Sequence, residues 1–458
     1  MTQDEAFQVL KTGANVFLTG EPGSGKTHTV NRYVAYLREQ GIEPAVCAST
    51  GIAATHIGGY TIHSWCGIGV KSTLTEYDLD LIGQKEKVVK RVRNAKVLII
   101  DEISMLSAQT LDSVDVVLRM LRNSDEAFGG LQMIFVGDFF QLPPVVKMQE
   151  VKSDMLEINY DESPNGQRSS MSPFAFYAQS WKRAKPLVCY LEEQHRQEDT
   201  KFLEILSGLR RGYLSDSLKQ TLKLRITEPP KKNTHTKLFP HNANVDRLND
   251  AELEKLPTLP RRYDMRSKGS MPLVEALKRS CLSPDGLMLK VGAKVMFTKN
   301  DPEGEYYNGT LGTVLEFSKL TGHPIVKLNS GGVLEVDTVE WAVQDGNKKL
   351  ASIEQLPLRL AWAITVHKSQ GMSLDAAIID LSNAFEYGQG YVALSRVRTL
   401  DGLYLLGLNE RALEVHPEVM EQDSIFRELS DSTAEAFGAM PDTELAQMHE
   451  QFVRAALV

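Results

Sequence analysis

The sequence predicts an α/β protein of several domains, with a phosphate-binding unit at its start and a β-rich insertion in its second half. Three observations predict this. The turn Gly20-Glu21-Pro22-Gly23-Ser24-Gly25-Lys26-Thr27 stands between an apolar strand and a helix. A second apolar strand, Val97-Leu98-Ile99-Ile100, ends in the paired acids Asp101-Glu102. Residues 286–353 then break into short β-type runs within a helical background. With 458 residues the chain exceeds one ordinary core, and about two to four domains are expected.

Composition narrows the class. The formal charge of −8 argues against a protein that coats nucleic acid nonspecifically, yet it leaves room for a local basic channel. The densest basic segment, Lys85 to Lys96, reads either as such a patch or as a solvated helix face. Cys47, Cys66, Cys189 and Cys281 stand far apart with no C-x-x-C, which favours reduced, buried thiols and no structural zinc. No apolar run reaches the length of a membrane span and no basic-then-apolar signal opens the chain, so a soluble cytoplasmic protein with no membrane partner is expected.

In chain order, residues 1–15 form a helical lead-in with Phe7 and Leu10 facing the first strand, and Gln3 is a candidate reader of adenine. Val16 to Thr19 is that strand. In the turn after it, glycines let backbone N–H groups wrap a phosphate where the positive end of the next helix points. Gly23, Ser24 and Gly25 would line that cradle, Lys26 would reach the β/γ-phosphates, and the Thr27 hydroxyl would hold Mg²⁺. Val30, Val34 and Leu37 continue the helix until Gly41. Ala45 to Ser49 is a second strand, and Thr50 caps the helix opened by Gly51-Ile52-Ala53-Ala54. His63 and Trp65 either stack on bases or form a buried aromatic cluster.

Asp101 then points to the Mg²⁺ shell and Glu102 to the attacking water, or both cap the following helix. A helix over 108–122 carries Leu111, Val114, Leu118 and Leu121 on one face. The strand Leu131 to Val136 leads to Gly137-Asp138-Phe139-Phe140-Gln141, where Gln141 is placed to sense a γ-phosphate. Residues 147–172 read as a polar surface loop. From Leu187 a second α/β region begins, and Arg196 can face the phosphates from across a cleft. Residues 291–297, 312–317, 325–328 and 333–336 are the short strands of a small inserted barrel, and the helical signal resumes at Leu360. Thr365, His367, Lys368 and Ser369 cluster donors at a helix end, suited to a phosphate backbone. Arg396, on an otherwise apolar helix, needs an anionic partner. The acidic tail from about 408 carries the stripe Leu445, Met448, Phe452, for packing or for a partner.

Taken together these motifs resemble superfamily 1B DNA helicases of the Pif type, with RecD-like motors as relatives. The resemblance spans Gln3 to Leu406 and is carried most specifically by Thr50 to Ala54 with Thr61-Ile62-His63-Ser64, Asp101 to Leu106, Gly137 to Pro144, His367-Lys368-Ser369-Gln370-Gly371 and Tyr391 to Arg396. It implies two RecA-like domains, at 1–186 and at 187–285 with 354–410. A small 1B wedge near 67–95, an SH3-like barrel at 286–353 and a helical tail at 411–458 complete that expectation. It implies ATP and Mg²⁺ in the cleft, with Lys26, Glu102, Gln141, Arg196 and Arg396 catalytic and with Gln3 and Gly371 beside the nucleotide. It implies single-stranded DNA on Thr50, Gly51, His63, Thr365, His367 and Lys368. The activity implied is 5′→3′ translocation with unwinding of forked or tailed duplexes, and also of G-quadruplexes and RNA–DNA hybrids. The free protein is expected to be a monomer serving replication, repair and telomere maintenance. A RecD-like subunit of a nuclease complex is the alternative.

Overall fold

Val16-Phe17-Leu18 is apolar on both faces, as a strand covered by helices on each side must be. It forms β1 (Val16–Gly20), one of the central strands of a six-stranded parallel sheet. In this computed structural model the residues described are 1–50, 53–54, 60–69, 74–144, 173–193, 199–227, 235–299, 301, 304–306, 309–329, 331–345, 348–370 and 374–457. The other strands of the first sheet are β2 (Ala45–Ala48), β3 (Tyr60–Thr61), β4 (Val97–Asp101), β5 (Gln132–Val136) and β6 (Leu187–Leu191), in the order β3-β2-β4-β5-β1-β6.

Helices cover both faces. On one lie α1 (Gln3–Lys11), started by a Thr2–Glu5 capping box, and α2 (Lys26–Glu39); Leu10, Tyr33 and Leu37 meet Val16 and Leu18 there. The first unit also holds α3 (Ile62–Cys66), α4 (Glu76–Gly83), α5 (Glu86–Asn94), α6 (Ala108–Arg122) and α7 (Gln179–Ala184). The spacing of Leu111, Val114, Leu118 and Leu121 predicted α6, and all four are buried on the opposite face. Asp115 is buried with them. It accepts hydrogen bonds from Phe128 N–H (2.7 Å) and Arg119 Nε (3.1 Å) and pairs with Arg183.

Beyond β6 the chain forms α8 (Thr200–Arg210), α9 (Asp216–Lys223), β7 (Thr236–Phe239) and α10 (Asn242–Glu254). The β-rich region follows, with β8 (Arg261–Asp264), β9 (Arg266–Gly269), α11 (Met271–Ser280), β10 (Gly286–Leu289), β11 (Lys294–Phe297), β12 (Leu311–Phe317), β13 (Pro324–Leu328), β14 (Val333–Glu335), β15 (Val339–Asp345), β16 (Lys348–Gln355) and β17 (Leu358–Leu360). After β18 (Ala363–Thr365), β19 (Ala377–Leu381), α12 (Gln389–Leu394) and β20 (Leu403–Leu408), a second parallel sheet is complete in the order β18-β7-β19-β20. The helices α13 (Pro417–Gly438) and α14 (Asp442–Leu457) close the chain.

Three expectations change, and one open alternative closes. Leu187–Leu191 was expected to open the second unit, but β6 pairs with β1 residue for residue, so the first sheet ends at Leu191. A buried five-residue apolar strand looks the same in either sheet, and only pairing assigns it. The insertion is wider than 286–353 and is divided: β14-β13-β12-β11-β17 form one antiparallel sheet, β15-β16-β9 a second, and β10 pairs with β8. The helix expected from Leu360 is instead strand β18 and a 3₁₀ turn at His367–Ser369, because Ala363–Thr365 ladders with β7. Trp65 is only 4% exposed and packs in the main core, which removes it from any base-stacking role.

The basic segment mixes its two readings. Arg91 donates to Trp65 O and Ser64 O and Arg93 to Leu121 O, while Lys85, Lys87 and Lys90 are exposed. The tail packs. Phe426 of α13 lies 4.9 Å from Phe17, Tyr190 N–H donates to Ser430 Oγ, and Phe452 of α14 rests against Gly13. Cys47, Cys66 and Cys189 are buried thiols and Cys281 is partly so. Among the described residues no helix is long and apolar enough to cross a membrane. The expected loop 147–172 lies outside the described residues.

Candidate nucleotide and nucleic-acid site

The C-terminal ends of parallel strands carry the site, as open α/β sheets favour. At the end of β1, Gly23 and Gly25 take φ of +91° and +89°, a region closed to most side chains. A Cβ on Gly25 would stand 2.2 Å from Gln3 Nε2, so glycine is what lets Gln3 lie on the loop, where its amide donates to Ser24 O (3.3 Å). The α2 N-terminus has Gly25 as its cap and no side-chain hydrogen bond, and the Ser24 hydroxyl is buried without a hydrogen-bond partner. Orphan donors at a helix N-terminus fit an anionic phosphate group. Lys26 Nζ donates to Gly20 O (2.7 Å) and Glu21 O (3.0 Å). Burial pushes its pKa down, with Asp138, Glu102 and Asp101 working against that and Arg210 adding to it. Thr27 is exposed at the mouth of the loop.

β4 delivers the acids. Glu102 sits at φ +52°, a left-handed conformation that costs a non-glycine residue roughly 1 kcal/mol or more. Its peptide is held on both sides: Glu102 N–H donates to Asp101 Oδ1 (2.8 Å), and Ser49 Oγ, at the end of β2, donates to Glu102 O (2.7 Å). Burial and the neighbouring Asp101 raise the Glu102 carboxyl to about 7, against the pull of Arg396, Lys26 and Gln370. Asp101 is raised as well, by burial first. A carboxyl poised near neutrality suits a general base, and its neighbour a divalent cation.

The second sheet supplies the facing wall. Gln370, after the 3₁₀ turn that follows β18, donates from Nε2 to Glu102 Oε2 (3.1 Å) and to Gln141 Oε1 (3.2 Å). Gln141 is buried and its N–H donates to Asp138 O (3.0 Å). Arg210 of α8 ties the same loop: it pairs with Asp138 (3.0 Å), donates to Tyr391 Oη (3.1 Å) and lies 3.6 Å from Asp423 of α13. Arg396, two residues past α12, is 3% exposed; its Nε donates to Val392 O (2.9 Å) and its charge bears on Glu102. Gly388 lets α12 approach closely, since a Cβ there would lie 2.5 Å from Phe140 O and 2.8 Å from Gln141 O.

Lys26, Asp101, Glu102, Gln141 and Arg396 are thus gathered around one cleft, with Gln3 and Thr27 at its phosphate loop. Arg196, Gly51 and Gly371 lie outside the described residues. The expected nucleic-acid contacts divide. Thr50 uses its hydroxyl as a cap for Ala53 N–H (3.3 Å), and His63 is half-buried, with burial lowering its pKa. Thr365 is 2% exposed and its hydroxyl accepts from Lys368 N–H (3.3 Å), so it shapes the turn rather than presenting a surface. His367 Nε2 meets Glu386 (3.2 Å), and burial lowers the pKa of Lys368.

Sequence reasoning missed Gln370, Arg210 and Gly388. Their partners are far away in sequence, and the only local signal was a glutamine ending a run of donors at 367–369.

Comparison with known proteins follows the same lines. A family profile for PIF1-like helicases matches residues 2–220. A curated relative from Psychrobacter sp. (strain PRwf-1), an ATP-dependent DNA helicase Pif1, is 41% identical over 100% of this chain and 75% of its own length. The Pif1 helicase structure from Candida albicans superposes with a TM-score of 0.77 at 31% identity, covering 92% of this chain and 98% of that one. A Bacteroides Pif1 helicase in complex with ADP-AlF3 and ssDNA gives a TM-score of 0.66 at 30% identity, covering 93% and 96%.

Proposed function

The chain belongs to the PIF1-like helicases, and from that premise we propose that it is an ATP-dependent DNA helicase moving 5′→3′ on single-stranded DNA and unwinding the duplex ahead. The observation that carries this reading is the side-chain bridge from Gln370 of the second unit to Glu102 and Gln141 of the first. A nucleotide-dependent cleft needs such a link if chemistry on one wall is to move the other.

Gly23 to Thr27 hold the phosphates, with Lys26 leaving its carbonyl contacts for the β/γ oxygens and Gln3 reading the base. Thr27 and Asp101 would hold Mg²⁺, which would supply charge neutralisation at the phosphates. Glu102, once ionised, accepts the proton of the attacking water. Gln141 and Gln370 exchange their mutual hydrogen bond for contacts to the γ-phosphate, and Arg396 with Arg196 brings positive charge to the transferred group. Closing and reopening the cleft shifts one unit's hold on the strand relative to the other's, with Thr50, Gly51, His63, His367 and Lys368 along the DNA path and Thr365 supporting it. In this reading the units are 1–193 and, from 199, the second sheet with its β insertion, and α4 and α5 serve as the wedge. The free protein is a monomer, its substrates are forked and tailed DNA, and its range extends to G-quadruplexes and RNA–DNA hybrids.

The test compares ATP-dependent opening of duplexes bearing a 5′ or a 3′ single-stranded tail, using the purified chain after gel filtration. Opening of the 5′-tailed substrate alone is expected. Preference for the 3′ tail overturns the direction, and no opening without added proteins favours a motor that works only within a complex.

A further inference from the structure

Arg210 ends α8 and is buried, yet its partners come from three other segments. Nη1 donates to Asp138 Oδ2 (3.0 Å), in the loop after β5, and to Tyr391 Oη (3.1 Å) of α12, while Nη2 lies 3.6 Å from Asp423 Oδ1 of α13. Nε is buried with no hydrogen-bond partner, so these polar contacts run through the two terminal nitrogens. The guanidinium also lies over the Phe140 ring, 4.4 Å from its centroid.

These contacts converge on the turn that carries Gln141. The Asp138 carboxylate accepts from Phe140 N–H (3.2 Å), and the Asp138 carbonyl accepts from Gln141 N–H (3.0 Å). One end of the turn is thus clamped by Arg210, and the Gln141 side chain at the other end meets Gln370. Asp423 is shared in turn with Arg427, whose Nε donates to Asp423 Oδ2 (2.9 Å) and whose Nη2 donates to Tyr190 Oη (2.6 Å) of β6. Charges alternate from the tail to the turn, in the order Arg427, Asp423, Arg210, Asp138.

Stability alone does not account for this chain of charges. Charges taken out of water contribute little net stability, and well-packed apolar side chains of similar volume often hold a core as firmly. A planar guanidinium adds fixed direction, since one head group meets two carboxylates and a hydroxyl at set angles. Asp423 is a reference point on the first unit, because Phe426 and Ser430 dock α13 on β1 and β6.

We propose that Arg210 and Asp423 are positioning residues for ATP hydrolysis: the tail carboxylate orients Arg210, Arg210 orients Asp138, and Asp138 sets Gln141 for the γ-phosphate. The relay rests on the reading of Gln141 as γ-phosphate sensor and gives the tail helix a part in turnover. It is independent of the direction of translocation. Lysine at position 210 can keep a buried charge paired with Asp138, but its single head group cannot hold Asp138 and Asp423 in the guanidinium geometry.

The experiment uses the full chain and measures ATP hydrolysis with oligothymidylate present, together with the affinity of fluorescent ADP with and without aluminium fluoride. Arg210→Lys is expected to lower kcat by about tenfold, the share of one charge-assisted hydrogen bond, with KM for ATP within about twofold of wild type. Its affinity for ADP should be unchanged, and the gain in affinity on adding aluminium fluoride should shrink. Asp423→Asn, beside an open cavity bordered by Glu21, Arg211 and Arg427, should shift kcat and that gain in the same direction. Neither substitution should add to the loss of turnover caused by Gln141→Ala. A further loss in the double variants, an equal fall in affinity for ADP with and without aluminium fluoride, or wild-type values throughout overturns the relay. If Arg210→Lys gives no cooperative unfolding transition, Asp423→Asn decides, and wild-type kcat in that variant overturns the relay. Wild-type turnover in Gln141→Ala overturns the sensor reading instead, and a wild-type protein without hydrolysis overturns the helicase reading.

Discussion

Glu102 is held in a left-handed backbone conformation with its carboxyl raised to about 7. Because the folded value exceeds the unfolded one of about 4.5, the fold favours the protonated form. Its contribution is complete at low pH and is lost as pH rises toward 7. Glu102→Gln cannot ionise, so its melting temperature without nucleotide should gain on wild type between pH 5 and pH 8, by on the order of 1 kcal/mol or about 2–4 °C. A constant difference across that range would mean that Glu102 is an ordinary exposed acid. Lys26→Ala should abolish hydrolysis and spare DNA binding, and Arg396→Ala should bind ATP yet lose roughly 10³-fold in turnover. Turnover retained in Arg396→Ala would make that arginine structural. Lys26 and Glu102 were legible because a phosphate loop and an acid-terminated strand are local patterns. Gln370 was not, since its meaning lies in Glu102 and Gln141 on the opposite wall.

Elements were legible where periodicity is strong. α6 runs over Ala108–Arg122 as its leucine and valine spacing requires, and β1, β2, β4 and β5 each lie within a residue or so of the apolar runs that announced them. The stretch after Leu360 failed for the opposite reason: three-residue strands carry too little pattern to outweigh helix propensity, and the ladder to β7 decides them. Two tests belong to this scale. Asp115→Ala leaves the buried Phe128 N–H without an acceptor and the partly exposed Arg119 and Arg183 without their carboxylate, and should cost about 1–3 kcal/mol in denaturant unfolding. Gly388→Ala adds a Cβ against Phe140 O and Gln141 O at a φ of +74°, so the α12 junction must open. Hydrolysis should fall more than nucleotide affinity, and equal falls would place the damage in the phosphate loop.

Across the whole molecule, the tail turns out to be part of the first unit's core. Phe426 stands among Phe17, Phe139, Phe176 and Trp181, so α13 covers a face that the first sheet cannot bury alone. Phe426→Ala should cost about 3–5 kcal/mol and lower the melting temperature of the first unit, while a surface change such as Glu428→Ala should not. The sequence by itself determined the α/β class, the phosphate loop, the acid pair and the family resemblance, since each is written in contiguous residues whose spacing reflects one turn, one strand or one helix. Only the tertiary structure decided that Leu187–Leu191 joins the first sheet, that the tail packs, and that Gln370 closes the cleft. Strand partners, buried faces and bridges across a cleft are contacts between segments remote in sequence, and no local period encodes them.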